Sequence, residues 1–175
     1  MMQQLGRFKA VAASLAGRTR SYLAEQAGID VTEVHAAMED VEHLKLRQAT
    51  AIIGVGGSVG LLIAFSFSHE LADILYKRLT AGIAIPADQE AGYRDAAVTE
   101  IANIIVGNCT ADFADHGERV SVSPPVLLED TKSIYRMKNA MFGTVAMVTP
   151  HGPFDIHMVG PPGMFDSQLN YESEM

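Results

Sequence analysis

A single cysteine, Cys109, occurs in the 175 residues, so the chain cannot close an internal disulfide. The N-terminal segment MMQQLGRFKAVAASLAGR lacks the uninterrupted apolar stretch of a secretory leader, because Lys9 and Arg18 break it. Both absences lead us to expect a reducing, cytoplasmic compartment. Cations are scarce as well: 13 Lys and Arg face 21 Asp and Glu, for a net charge of −8, and no basic stripe gathers the few there are. Nucleic-acid partners need clustered Lys and Arg that release phosphate counterions, so none is expected here. No G-x-S-x-G surrounds Ser66, Ser68 or Ser123, which leaves a serine hydrolase without support.

Apolar residues are plentiful, and at 48% they suffice for the core of one domain. The stretch ATAIIGVGGSVGLLIAFSFS, Ala49 to Ser68, runs twenty residues without a charge, the length of a bilayer span. Its glycines also fit a G-x-x-x-G helix-dimer spacing and the start of a dinucleotide loop. However, Gly56-Gly57-Ser58 is turn chemistry between two strand-length apolar runs. A dinucleotide loop would need a helix directly after the glycines, and here a second strand-like run intervenes before Ser68, a suitable helix N-cap. We therefore expect a buried β-hairpin and no membrane partner.

Upstream, Phe8, Val11, Leu15, Tyr22 and Leu23 fall at helical spacing and Gly28 provides a stop. Asp30 is placed to cap a second, short helix through VTEVHAAMEDVEHL, whose apolar stripe is thin and whose charge is high. After the hairpin, Leu71, Ile74, Leu75 and Leu79 share one helix face, with Gly82 beyond its end. IAIPADQEAG is a connector, and Asp88 or Gln89 opens a long helix expected to close near Gly117. The period then changes to two. Arg119 to Ser123 alternates like a strand and meets Pro124-Pro125, which must stand at a strand end or edge because proline cannot donate to a ladder. Strands are further expected at 134–149 and 153–159, joined through Thr149-Pro150-His151-Gly152. The order implies an α+β fold with helices packed on a mainly antiparallel sheet, in one domain over residues 1–164, and an acidic, polar tail at 165–175 expected to be mobile.

The long helix carries an anomaly. On a wheel of about 100° per residue, Val98, Ile101, Ala102, Ile105, Val106, Cys109 and Phe113 gather on one side and form its core face. Opposite lie Ala96, Glu100, Asn103, Gly107 and Ala111, a flat strip from which only a carboxylate and a carboxamide reach out. A merely solvated face is the ordinary explanation of one polar pair. Such a face more often carries Lys, Glu, Arg or Gln, whereas these small residues let another surface approach closely. Other candidates are weaker. His151, Asp155 and His157 near a hairpin do not specify a metal geometry, His35 and His43 lack a third ligand, and Cys109 on the core face behaves as a small hydrophobe.

The hairpin TAIIGVGGSVGLLIAFSFS, the helix with ELADILYKRL, the segment TEIANIIVGN and the following SVSPPVLLED together resemble the CheC and CheX family of chemotaxis phosphatases, CheX type, from about Ala49 to Val159. The family's signature is an acidic residue or Ser, then x-x-x-Glu-x-x-Asn, then a more distant Pro. Glu100 and Asn103 match its centre. Ala96 stands where the acid or Ser belongs, with Asp95 one place out of register, and Pro124 and Pro125 fall short of the expected spacing by a residue or two. CheC-type members carry a second signature on the first helix; VAASLAGRTRSYLAEQAG has no Glu-x-x-Asn, so a single site per chain is implied.

The resemblance implies an aspartyl-phosphate phosphatase acting on a CheY-like response regulator. Asn103 would orient the attacking water and Glu100 would pair with the regulator's active-site lysine, with Ala96, Gly107 and Ala111 facing the partner. The divalent metal, Mg²⁺, would belong to the regulator, and no cofactor or metal ligand is expected in this chain. It also implies a possible homodimer through sheet edges. The alternative is a non-catalytic regulator-binding adaptor or flagellar-switch component of the same fold.

Overall fold

The computed structural model describes residues 6–57, 60–113, 119–128, 132–136 and 138–162. Helix α1 spans Gly6–Ala27 and ends where the sequence predicts, at Gly28. That glycine takes φ +59°. Its N–H bonds to the Ala24 carbonyl and that of Ile29 to the Leu23 carbonyl, a paired closure that satisfies the last carbonyls of the helix. Strands β1 (Glu33–Glu39) and β2 (His43–Lys45) follow, then the hairpin of β3 (Ala49–Gly57) and β4 (Leu61–Phe67). Helix α2 (His69–Leu79) is capped by Ser68, whose hydroxyl accepts from the Leu71 N–H, as expected. A 3₁₀ turn at Ala87–Gln89 leads into α3 (Glu90–Phe113). Strands β5 (Val120–Val122), β6 (Val126–Leu128), β7 (Ser133–Tyr135), β8 (Met141–Thr149) and β9 (Gly152–Gly160) complete the fold.

The helix expected through VTEVHAAMEDVEHL is instead strands β1 and β2. Seven residues of β1 pair antiparallel with β8, from Glu33 opposite Val148 to Glu39 opposite Phe142. The reason lies in the partner: β8 offers an open ladder, and backbone pairing there outweighs the helix propensity of Glu, Ala and Met. The strand expected at 134–149 likewise divides. Its first residues, in β7, leave the main sheet to pair with β2, while β8 and β9 form the expected hairpin from Thr149 opposite Gly152. Ser58 in the predicted turn, Gly117 at the predicted helix end, and the tail at 165–175 with the domain boundary at 164 lie outside the described residues.

The main sheet has seven strands in the order β1-β8-β9-β4-β3-β5, with β6 also on β3, and every pairing is antiparallel. β5 and β6 share one side of β3, opposite Val55–Gly57 and Thr50–Ile52 respectively. Between them Pro124 and Pro125 interrupt an edge ribbon, as prolines must. Ser123 bridges the gap with its N–H on the Gly54 carbonyl (2.8 Å) and its hydroxyl accepting from the Gly54 N–H (2.9 Å).

Alternation sorts the sheet into two faces. Ala51, Ile53, Val55, Ile63, Phe65, Phe67, Phe154, Ile156 and Met158 point toward the three helices and are buried with them in one core. Phe8 of α1 lies so close over β8 that a side chain at Gly143 would collide with its ring. On the other face, Thr50 and Ser66 share a 2.9 Å hydrogen bond, Arg47 pairs with Asp155 at 2.7 Å, and Thr144 bonds His157 Nδ1 at 2.9 Å.

Candidate functional site

Helix α3 lies across the hydrophobic face of the sheet because its apolar residues all fall on one side. The seven residues assigned to that side from the sequence are the seven buried ones: Val98, Ile101, Ala102, Ile105, Val106, Cys109 and Phe113. Each large side chain among them gains roughly 1.5–3 kcal/mol by leaving water, which fixes the rotation of the helix about its axis. With that rotation fixed, Ala96, Glu100, Asn103, Gly107 and Ala111 are all exposed. Asp95 is half-buried and sits about 100° round the helix from Ala96, so its carboxylate does not join the strip.

Two neighbouring helices hold α3 from the side. Asp112 accepts from the Ser14 hydroxyl at 2.7 Å and from the Arg18 guanidinium at 3.2 and 3.3 Å, tying the C-terminal half of α3 to α1. The Ser14 hydrogen bond, then Arg18, keeps the Asp112 carboxyl below its ordinary range. Arg94 reaches Asp73 of α2 at 2.6 Å and ties down the N-terminal half. Arg78 of α2 donates to the Ala27 and Gly28 carbonyls, placing a cation at the C-terminus of α1.

Glu100 and Asn103 stand three residues apart on the exposed side, so their side chains are neighbours. Neither makes a hydrogen bond or ion pair among the described residues. The Glu100 charge is felt by Tyr22 of α1, whose phenol is pushed up by burial first and by Glu100 second. Beside the pair, a groove of about 430 Å³ runs between α1 and α3, lined by Ser21, Tyr22, Gln26, Ile104 and Asn108 among others. At Gly107 an added Cβ would meet nothing within 4 Å among the described residues, so close packing does not require the glycine there. The strip also extends one turn beyond the residues picked out from the sequence. Tyr93, seven positions before Glu100 and within about 20° of its azimuth, is 40% exposed. The signal for it was the heptad spacing itself.

The other candidates fall apart as sites. His151 Nε2 contacts Arg78 at 3.1 Å, Asp155 pairs with Arg47, and His157 bonds Thr144, so the three groups of the hairpin serve three different partners. No cluster of three or more His, Cys, Asp or Glu among the described residues could hold a metal ion. His35 and His43 are exposed, on strands rather than a helix. Burial pushes the Cys109 thiol up to about 11. Ser66 is buried in hydrogen bonds to Thr50 and the Arg47 N–H, Ser68 caps α2, and Ser123 bridges the sheet edge. A groove of about 620 Å³ on the far face of the sheet, lined by Lys45, Thr144, Asp155 and His157, is separated from α3 by the sheet. No helix among the described residues is long and apolar enough to cross a membrane.

Comparison with known proteins places this arrangement. Residues 49–146, more than half of the chain, match the family model for the chemotaxis phosphatase CheX. No protein of curated function matches the sequence. Among solved structures, the chain is similar to a CheX chemotaxis protein of Desulfovibrio desulfuricans, with 19% identity over 85% of this chain and 97% of that one and a TM-score of 0.72. A chemotaxis protein of Desulfovibrio vulgaris Hildenborough gives 23% identity over 85% and 94%, also at 0.72. A third, with 17% identity over 85% and 95% and a TM-score of 0.63, is CheX of Borrelia burgdorferi, solved in complex with CheY, BeF₃ and Mg²⁺.

Proposed function

This chain belongs to the CheX family of chemotaxis phosphatases, and from that membership we propose that it hydrolyses the aspartyl phosphate of a CheY-like response regulator at Glu100 and Asn103. The observation that carries this reading is that both side chains stand exposed, with no hydrogen bond or ion pair among the described residues, on a strip of small residues whose orientation the core dictates. An acyl phosphate is already activated, so a catalyst has little covalent chemistry to perform. Positioning a water in line with the leaving carboxylate oxygen is the main task. The Asn103 carboxamide suits it, since its oxygen accepts from the water and its NH₂ can steady a phosphoryl oxygen. The water oxygen bonds to phosphorus as the bond to the aspartyl oxygen breaks, giving inorganic phosphate and a free carboxylate; the water's proton passes to the phosphate or to solvent.

Glu100 would dock against the regulator's active-site lysine and set the register in which Asn103 meets the phosphoryl group. Mg²⁺ would come with the regulator and neutralise charge on its phosphoryl oxygens. Ala96, Gly107 and Ala111 keep the approach free of side-chain bulk. A time course of phosphate loss from a phosphorylated regulator, with and without the protein, tests the reading; loss at the intrinsic rate in both would refute it.

One observation favours the adaptor instead. Ala96 exposes a methyl group where the family signature has an acid or Ser, and Asp95 is turned away and does not replace it. An adaptor would bind the regulator on the same strip and leave its phosphate in place. The implied homodimer would use a sheet edge, and β1 offers seven consecutive residues in full register, whereas the β5/β6 edge is broken by Pro124-Pro125. Sedimentation over a range of concentrations tests this, a monomer throughout being the contrary result.

A further inference from the structure

Tyr93 extends the exposed face of α3 in a way that neither Glu100 nor Asn103 explains. It lies on the strip's own azimuth, one turn before Ala96, and is the large side chain in a line otherwise built of Ala96, Glu100, Asn103, Gly107 and Ala111. It is 40% exposed, and no hydrogen bond or ring contact engages it among the described residues. The fully buried residues of the helix begin only at Val98, so Tyr93 stands ahead of its core-facing run. Tyrosine is among the residues that dominate binding at protein interfaces, since it covers a large area with few rotatable bonds.

We propose that Tyr93 is the anchor that seats the response regulator on this helix, a binding residue separate from the catalytic pair; the inference rests on the reading of α3 as the regulator's docking face. Charge supports that occupant. Arg94 is the one basic residue of α3 and is occupied by Asp73, so among the described residues the docking face presents the Glu100 carboxylate without an ion pair, suited to the lysine that the proposed function gives the regulator. The small residues between Tyr93 and Ala111 let a rigid surface lie along the strip, with the phenol ring closing the N-terminal end of the contact.

The experiment measures binding of the intact protein to a beryllofluoride-activated CheY-like regulator and, separately, single-turnover hydrolysis of the phosphorylated regulator at saturating protein. Tyr93→Ala should raise Kd about tenfold or more, Tyr93→Phe should stay within about twofold of wild type, and Tyr93→Ala should still hydrolyse bound regulator at close to the wild-type rate. Tyr93→Gln, with a helix-compatible side chain, should lose affinity as Tyr93→Ala does, so lost binding is not misread as lost folding. Wild-type affinity in both Tyr93→Ala and Tyr93→Gln overturns the inference and leaves the phosphatase reading intact. A wild type that binds but never hydrolyses overturns the phosphatase reading, while the Tyr93 affinities still decide the anchor. A wild type that binds no regulator overturns both.

Discussion

Glu100 and Asn103 differ in what their loss should do, although they neighbour each other on one helix. Asn103→Ala removes the carboxamide proposed to position water and keeps the carboxylate proposed to dock the regulator. Hydrolysis should fall by about 10²-fold or more while affinity for a beryllofluoride-activated regulator stays near wild type. On the proposed docking, Glu100→Lys would set a cation against the regulator's lysine, so the binding measurement itself should show the loss. Cys109 has a different signature. An unfolded thiol ionises near its ordinary value of 9.0 and the packed one only near about 11, so the folded chain holds the extra proton between those values. The stability contributed by the packed thiol is complete below pH 9.0 and lost as pH rises toward about 11. The urea midpoint of the wild type should therefore decline more steeply across that window than that of Cys109→Ala, and equal slopes would contradict the burial. Labelling of the native thiol should be far slower than in denaturant.

At the level of elements, α3 was legible because a core-facing helix writes its burial in a 3.6-residue period. Val98 through Phe113 keep that period without exception, so the opposite strip followed from the wheel. The Ser68 cap and the Gly28 stop were legible for a similar reason: each acts on backbone within a few residues of itself. β1 was not. Its alternation of Val34, Ala36 and Met38 is weak, its composition favours helix, and what makes it a strand is β8, more than a hundred positions away. The Arg47–Asp155 pair that separates Asp155 from His157 is equally remote in sequence. The flatness of the α3 strip yields a prediction of its own. Gly107→Leu enters open space and replaces a mid-helix glycine, so thermal stability should hold or rise by up to about 1 kcal/mol. Regulator binding should nevertheless weaken, because the new side chain occupies the approach; unchanged affinity would mean that the partner does not lie on this face. Ile105→Ala, on the buried side, should do the opposite and cost ~2–5 kcal/mol in denaturant unfolding.

Across the whole molecule, the antiparallel sheet acts as a platform, the core sets the rotation of α3, and α1 and α2 brace it through Asp112 and Asp73. What this architecture delivers to solvent is one carboxylate and one carboxamide among small residues, with Tyr93 at the N-terminal end of the ridge. The central claim is that the ridge removes phosphate and does not merely hold the regulator. The direct test incubates the purified protein with a phosphorylated CheY-like regulator and Mg²⁺ and follows inorganic phosphate release over time, with Asn103→Ala alongside. The account predicts release well above the regulator's intrinsic rate for the wild type and close to intrinsic for Asn103→Ala. Wild-type release in Asn103→Ala would contradict it, as would a wild type that binds the regulator while its phosphate persists.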